Sequence, residues 1–243
     1  MKRNDVGVSM RNHSGLLAAL CMVVNIAPGA IAQTPVGPPT GGGPYRARTL
    51  VELVKLDPTI KLDIRYATVK NFVGRAVYPD ARAFLQRPAA EALLSVHRRL
   101  KEQGYGLVVY DAYRPWSITK LFWDITPPDK RVFVADPSTG SVHDRGCAVD
   151  VGLFDLRTGH EVQMPSAYDE KTERSFVTYT GGTAEQRARR DLLRKAMEHD
   201  RYFFVYPEEW WHDDFKDLRD YAIQDTPFSA IASPSRSEKP WAI

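Results

Sequence analysis

The chain has 243 residues, 43% hydrophobic and 26% charged, an ordinary globular composition that suffices for one domain with a substantial core. Its formal net charge of +3 is small and is not gathered into basic blocks, so nothing marks a nucleic-acid partner. Lys2, Arg3 and Arg11 precede an apolar run from Gly15 to about Ile26, and Ala30-Ile-Ala32 is a small-x-small signal before Gln33. This predicts a secretory signal peptide over residues 1–32, too short for a membrane span of ~20 apolar residues. The expectation is a secreted, periplasmic protein with no membrane attachment after cleavage. Cleavage would remove Cys21, leave Cys147 as the only thiol, and bring the net charge to +1. No internal disulfide is then available, and the core must carry the fold.

Residues 33–48 are a Pro/Gly-rich linker with no apolar face to bury. The domain is expected over 49–224, with a loose tail over 225–243. Residues 50–56 predict a strand or short turn, and 60–66 (IKLDIRY) alternate as a strand does. Asn71 to Gly74 predicts a turn. Pro88 opens a helix to about residue 103, with Ala89, Leu93, Val96, His97 and Leu100 at helical spacing and Gly104 as its stop. Residues 106–110 (GLVVY) predict a buried strand that delivers Asp111-Ala-Tyr113-Arg114-Pro115 at its end. A short helix is expected over 117–124, and a strand carrying Asp150 over 148–154. Residues 164–179 form a long polar loop, a length that is often functional. Thr183-Ala-Glu-Gln186 is a capping box that starts a helix to about His199. Residues 202–206 predict a strand leading into Glu209-Trp-Trp-His212.

The chemistry concentrates in two stretches. Ser141-Val-His143-Asp-Arg-Gly146-Cys-Ala148-Val-Asp150 supplies a histidine and an aspartate, and the second stretch supplies His212 and Glu209. A catalytic zinc takes three protein ligands from His, Asp, Glu or Cys and leaves a fourth position for water. His143, Asp150 and His212 meet that requirement, one Zn2+ per chain, and Glu209 is left over to move protons. Taken alone, His143 and Asp150 read better as a hydrogen bond in a polar loop; the second motif shifts the balance. Three residues of extended chain span ~10 Å, at ~3.3 Å each. A bend at Trp210-Trp211 is therefore needed to bring Glu209 to the metal, and Glu208 competes for its role. Arg114 fits two readings equally: a donor to a developing oxyanion, or a structural ion pair with Asp111.

These motifs, with Asp63-Ile-Arg-Tyr66-Ala-Thr and Asn71-Phe, resemble the D-alanyl-D-alanine dipeptidases of the VanX type, from about Leu50 to Tyr221. These are zinc peptidases that share a fold with D,D-carboxypeptidases and the hedgehog signalling domain. The resemblance implies an α+β fold: a single domain with a central, mostly antiparallel sheet and flanking helices. It implies His143, Asp150 and His212 as zinc ligands, Glu209 as the catalytic base and Arg114 as the oxyanion stabiliser. It further implies Asp169 and Tyr66 as readers of the substrate's ammonium, and Ser141 as a holder of its carboxylate. The substrate implied is a small dipeptide, D-Ala-D-Ala. Two features depart from the family pattern. The segment between Arg114 and His143 is short, and Asp213-Asp214 follows His212 where an aromatic residue is expected. The residues also fit a D,D-carboxypeptidase acting on peptidoglycan stems, a non-catalytic zinc-containing binding module, or a thiol hydrolase using Cys147 and His143. Oligomeric state is not readable.

Overall fold

Local signals build two of the helices as expected. In the computed structural model, which describes residues 37–231, β1 (Leu50–Glu52) runs into the short helix α1 (Leu53–Leu56). Helix α2 (Arg87–Lys101) has Pro88 in its first turn, where the missing N–H costs nothing. Its buried stripe of Ala89, Leu93, Val96, His97 and Leu100 follows the 3.6-residue period. Gly104, at φ +84°, turns the chain out of it. Helix α4 (Ala184–Glu198) begins at the capping box: Thr183 Oγ1 accepts from the Gln186 N–H at 3.1 Å, and Gln186 Oε1 accepts from the Thr183 N–H at 2.8 Å. Leu193, Ala196 and Met197 are buried, while Leu192 is only half-buried.

The fold is α+β. A five-stranded sheet contains β2 (Lys61–Leu62), β4 (Tyr105–Asp111), β5 (Ala148–Asp155), β6 (Phe203–Val205) and β7 (His212–Phe215), in the order β2-β4-β5-β7-β6. Only the β2–β4 pair is parallel; the others are antiparallel. Helices α2 and α4 pack on each other and on β4 and β6 respectively. The helix α3 (Trp116–Ile125) follows β4.

Several expectations shift. The strand over 60–66 shortens to Lys61–Leu62, because the chain enters a 3-10 turn at Arg65–Ala67 that buries Tyr66. A strand not foreseen, β3 (Phe84–Gln86), pairs antiparallel with β1 to make a second, two-stranded sheet. The tail expected from 225 is packed in its first part: Phe228 is 2% exposed, its ring 5.0 Å from that of Tyr78 and 5.2 Å from that of Phe84. An aromatic ring and Ile231 find apolar cover there, which the Ser, Pro and charge around them obscured. The expected signal peptide, residues 33–36 of the linker and residues 232–243 lie outside the described residues. No helix among the described residues is long and apolar enough to cross a membrane.

Candidate metal centre and substrate cavity

The site is laid out along one row of the sheet. Asp111 on β4 faces Asp150 on β5, and Asp150 faces His212 on β7. The pairing of β4 with β5 shifts between Val109 and Asp111, a bulge that brings Asp111 onto that row. His143 arrives from a 3-10 turn, His143–Arg145, just before β5. That loop is fastened from behind. Gln86 donates from Nε2 to the Arg145 carbonyl at 2.8 Å, and its own N–H donates to the Gly146 carbonyl at 2.9 Å. Gly146 sits at φ +69°, and a Cβ there would come within 2.5 Å of Leu50, so the tight turn requires glycine.

Three lone-pair atoms converge. His143 Nε2 lies 3.2 Å from Asp150 Oδ1 and 3.1 Å from His212 Nδ1, and His212 Nδ1 lies 3.0 Å from Asp150 Oδ1. In a neutral ring, the form that binds a metal, the partner of the outward nitrogen decides where the proton sits. His143 Nδ1 faces the Ala112 carbonyl at 2.6 Å, an acceptor only, so it donates and Nε2 is bare. His212 Nε2 faces Asp214 Oδ1 at 3.0 Å, so it donates and Nδ1 is bare. Asp150 takes the Tyr168 hydroxyl on Oδ2 at 2.9 Å, leaving Oδ1 to the centre. Three electron-rich atoms this close repel unless a cation stands among them. Ligands ~2.0–2.1 Å from a tetrahedral zinc lie roughly 3.3 Å apart, near the spacing observed. The residues therefore fit a metal ion, and among the described residues this His–Asp–His group is the one cluster of that kind.

Glu209 reaches the centre through the bend expected at the tryptophans. The His212 N–H donates to the Glu209 carbonyl at 3.1 Å, closing a turn, and Glu209 Oε2 comes 4.0 Å from His212 Nδ1. Trp210 anchors the turn: its N–H donates to the Ser175 carbonyl at 2.9 Å and its Nε1–H to Ser166 Oγ at 2.8 Å. Burial raises the Glu209 carboxyl to about 7; His212 opposes the rise, and Asp150 and Asp169 add to it. Glu208, its competitor, does not line the cavity.

A cavity of about 270 Å³ opens over this row, and all eight residues singled out in the sequence line it. Arg114 is buried, makes the ion pair with Asp111 and also reaches the cavity. Nε and Nη2 donate to Asp111 Oδ2 at 3.0 and 2.7 Å, yet the guanidinium borders the cavity and packs 4.9 Å from the Phe122 ring centre. Asp111 is fixed in turn by the Tyr78 hydroxyl at 2.7 Å. On the other wall Tyr66 donates to Asp169 Oδ2 at 3.2 Å, and Asp169 stands at φ +63°. Burial raises the Asp169 carboxyl to about 6, with Lys171 working against it. Ser141 Oγ accepts from the His143 N–H at 3.2 Å. Residues 132–135, in the short segment before His143, complete the wall.

Sequence reasoning missed Tyr168 and Asp214, both of which touch metal-facing residues. Tyr168 stands next to Asp169 in a stretch of the long loop, Tyr168-Asp169-Glu170, that resembles the family, but it carried no role of its own. Asp214 is two residues after His212, the same-face spacing of a strand, but that strand had not been foreseen. The other histidines stand apart. His97 is buried, accepting from the Leu107 N–H on Nδ1 at 3.1 Å, and His160 and His199 are exposed. Cys147 is buried and its thiol is pushed up to about 12 by that burial, which removes the nucleophile a thiol hydrolase needs.

Two histidines and an aspartate converging on one point, with a half-buried glutamate beside them, define a metal-dependent peptidase. Residues 46–233 match the family described as D-ala-D-ala dipeptidase. The chain belongs to that family. It is 32% identical over 185 residues to the D-alanyl-D-alanine dipeptidase of Escherichia coli K12, covering 76% of this chain and 94% of that one. It is 35% identical over 196 residues to the one from Enterococcus faecalis V583, covering 72% and 93%. A solved structure, that of the LdcB LD-carboxypeptidase, aligns with TM-score 0.39 and 18% identity, covering 78% of this chain and 81% of that chain.

Proposed function

We propose that this protein hydrolyses D-alanyl-D-alanine to two D-alanines, with one zinc ion held by His143, Asp150 and His212. The observation that carries the reading is that one small cavity holds the metal triad, a half-buried glutamate and, across from them, a half-buried aspartate with no ion-pair partner among the described residues. Zinc would supply Lewis acidity, acidifying water and polarising a carbonyl. Glu209 takes the proton of the attacking water on its carboxylate and passes it to the leaving amine. A carboxyl whose pKa stands near neutrality suits both halves of that transfer. Arg114, its guanidinium already oriented by Asp111, turns its remaining N–H donors to the carbonyl oxygen as charge develops there.

Asp169, steadied by Tyr66, receives the substrate's ammonium, and Ser141 helps to hold its carboxylate. A peptide with a blocked amino group would leave Asp169 buried against a neutral group, an expensive state. Selectivity for free dipeptides follows from that penalty. The signal peptide expected over residues 1–32 supports a reaction outside the cytoplasm, a setting that suits salvage of wall fragments.

The test is D-alanine release from D-Ala-D-Ala and from its N-acetylated form, with and without a zinc chelator. Chelator-sensitive cleavage of the free dipeptide alone is expected. Cleavage of both at similar rates would move the reading to a carboxypeptidase acting on stem peptides. Cleavage of neither by zinc-loaded protein would overturn it.

A further inference from the structure

Strand β7 begins at His212, and its side chains alternate between the two faces of the sheet. His212 and Asp214 therefore share a face, while Asp213 points to the other and is buried there. Phe204 and Ala148 flank Asp214 across the sheet and hold its backbone on both sides. Its carboxylate meets His212 at Nε2, the nitrogen turned away from the centre, at 3.0 Å.

Each of the three metal-facing atoms is set by a partner on its far side, and the three partners differ. A backbone carbonyl holds His143, a phenol holds Asp150, and a carboxylate holds His212. Only the last is ionised. A charged acceptor makes the stronger hydrogen bond and raises the electron density of the ring it holds. It also decides the tautomer: with the proton kept on Nε2, Nδ1 is free to bind a cation. Without Asp214 the ring retains no other polar partner at Nε2 among the described residues, and Nδ1 could take the proton toward Asp150 instead.

We infer that Asp214 is a positioning residue of the metal centre, which fixes the Nδ1-bare tautomer of His212 and strengthens its grip on the ion. The inference rests on the zinc site proposed above but not on the identity of the substrate. Removing such an outer partner typically weakens metal affinity ~10- to 100-fold.

The experiment titrates zinc alone into the metal-free full chain against a chromogenic chelator, for wild type, Asp214→Asn and Asp214→Ala. The ring 15N spectrum of each zinc-loaded form gives the His212 tautomer. Asp214→Ala is expected to bind zinc at least ~10-fold more weakly. Asp214→Asn, whose amide oxygen still accepts from Nε2–H, should fall between the two. Unchanged thermal unfolding of the metal-free variants would separate this loss from a general loosening. If Asp214→Ala does not fold, the Asn variant decides: a loss of affinity without loss of metal-free stability supports the assignment. Zinc affinity within about twofold of wild type in the folded variants, or an Nδ1–H signal for His212 in the zinc-loaded wild type, overturns it. Tight zinc binding without dipeptide cleavage would sink the substrate reading and leave this one standing.

Discussion

Arg114 combines a buried ion pair with a place on the cavity wall. Its pairing with buried Asp111 and its place on the cavity are both real, so Arg114→Ala removes a donor and strands a carboxylate at once. Turnover per folded molecule is expected to fall ~100- to 1000-fold, with KM moving less. Stability is expected to fall by ~3–5 kcal/mol, as when a buried pair loses one partner. Steady-state kinetics and urea unfolding separate the two, and normal turnover would rule out the oxyanion role. His97 offers a pH-dependent counterpart away from the site. Burial lowers its pKa below the usual 6.5; Lys101 lowers it further, and Asp57 pulls the other way. The unfolded chain therefore binds a proton that the folded chain resists. That contribution is full above pH 6.5 and is lost as pH falls through 6.5 toward the folded value. Urea unfolding at pH 8 and pH 5.5 should show a smaller acid loss for His97→Gln than for wild type, and an equal loss would exclude His97 as a source.

At the scale of elements, what was legible depended on how local the signal was. Helix α4 announces itself because Thr183 and Gln186 hydrogen-bond within one turn of each other. Helix α2 does so because its apolar stripe repeats over four turns. Strand β7 reads HDDF, with no apolar alternation, and is a strand only because β5 and β6 lie on either side of it. Strand β3 is three residues long, too short for any period to show. The metal-facing residue types were legible from their chemistry and the spacing of their motifs. The bulge before Asp111 and the choice of ring nitrogen were not, since each depends on atoms far away in sequence. The packing of residues 225–231 was hidden for the same reason. Phe228→Ala should destabilise by ~3–5 kcal/mol, the range for truncating a buried aromatic. Chemical denaturation would check it, and a loss under ~1 kcal/mol would return this segment to the status of a tail.

For the molecule as a whole, an ion held by His143, Asp150 and His212 would tie the loop before β5 to β5 and β7. Anything that binds the folded chain alone stabilises it, by ~2.7 kcal/mol when free ligand is 100 times Kd. In a domain of this size each kcal/mol is worth about 2–4 °C in Tm. Calorimetry should therefore show a higher Tm with zinc and a fall on chelation, and identical transitions would mean that the site does not hold the ion.

The row that joins Asp111, Asp150 and His212 across three strands also makes the centre a gauge of strand alignment. A slip of β7 by one residue would turn His212 away and present Asp213 in its place, a carboxylate where an imidazole is needed. Phe215 is the one apolar side chain of β7 whose burial separates these two alignments. The ion would favour one of them, because only that one offers two imidazoles beside Asp150. Metal capture would then act as a proofreading step in the pairing of β5 with β7.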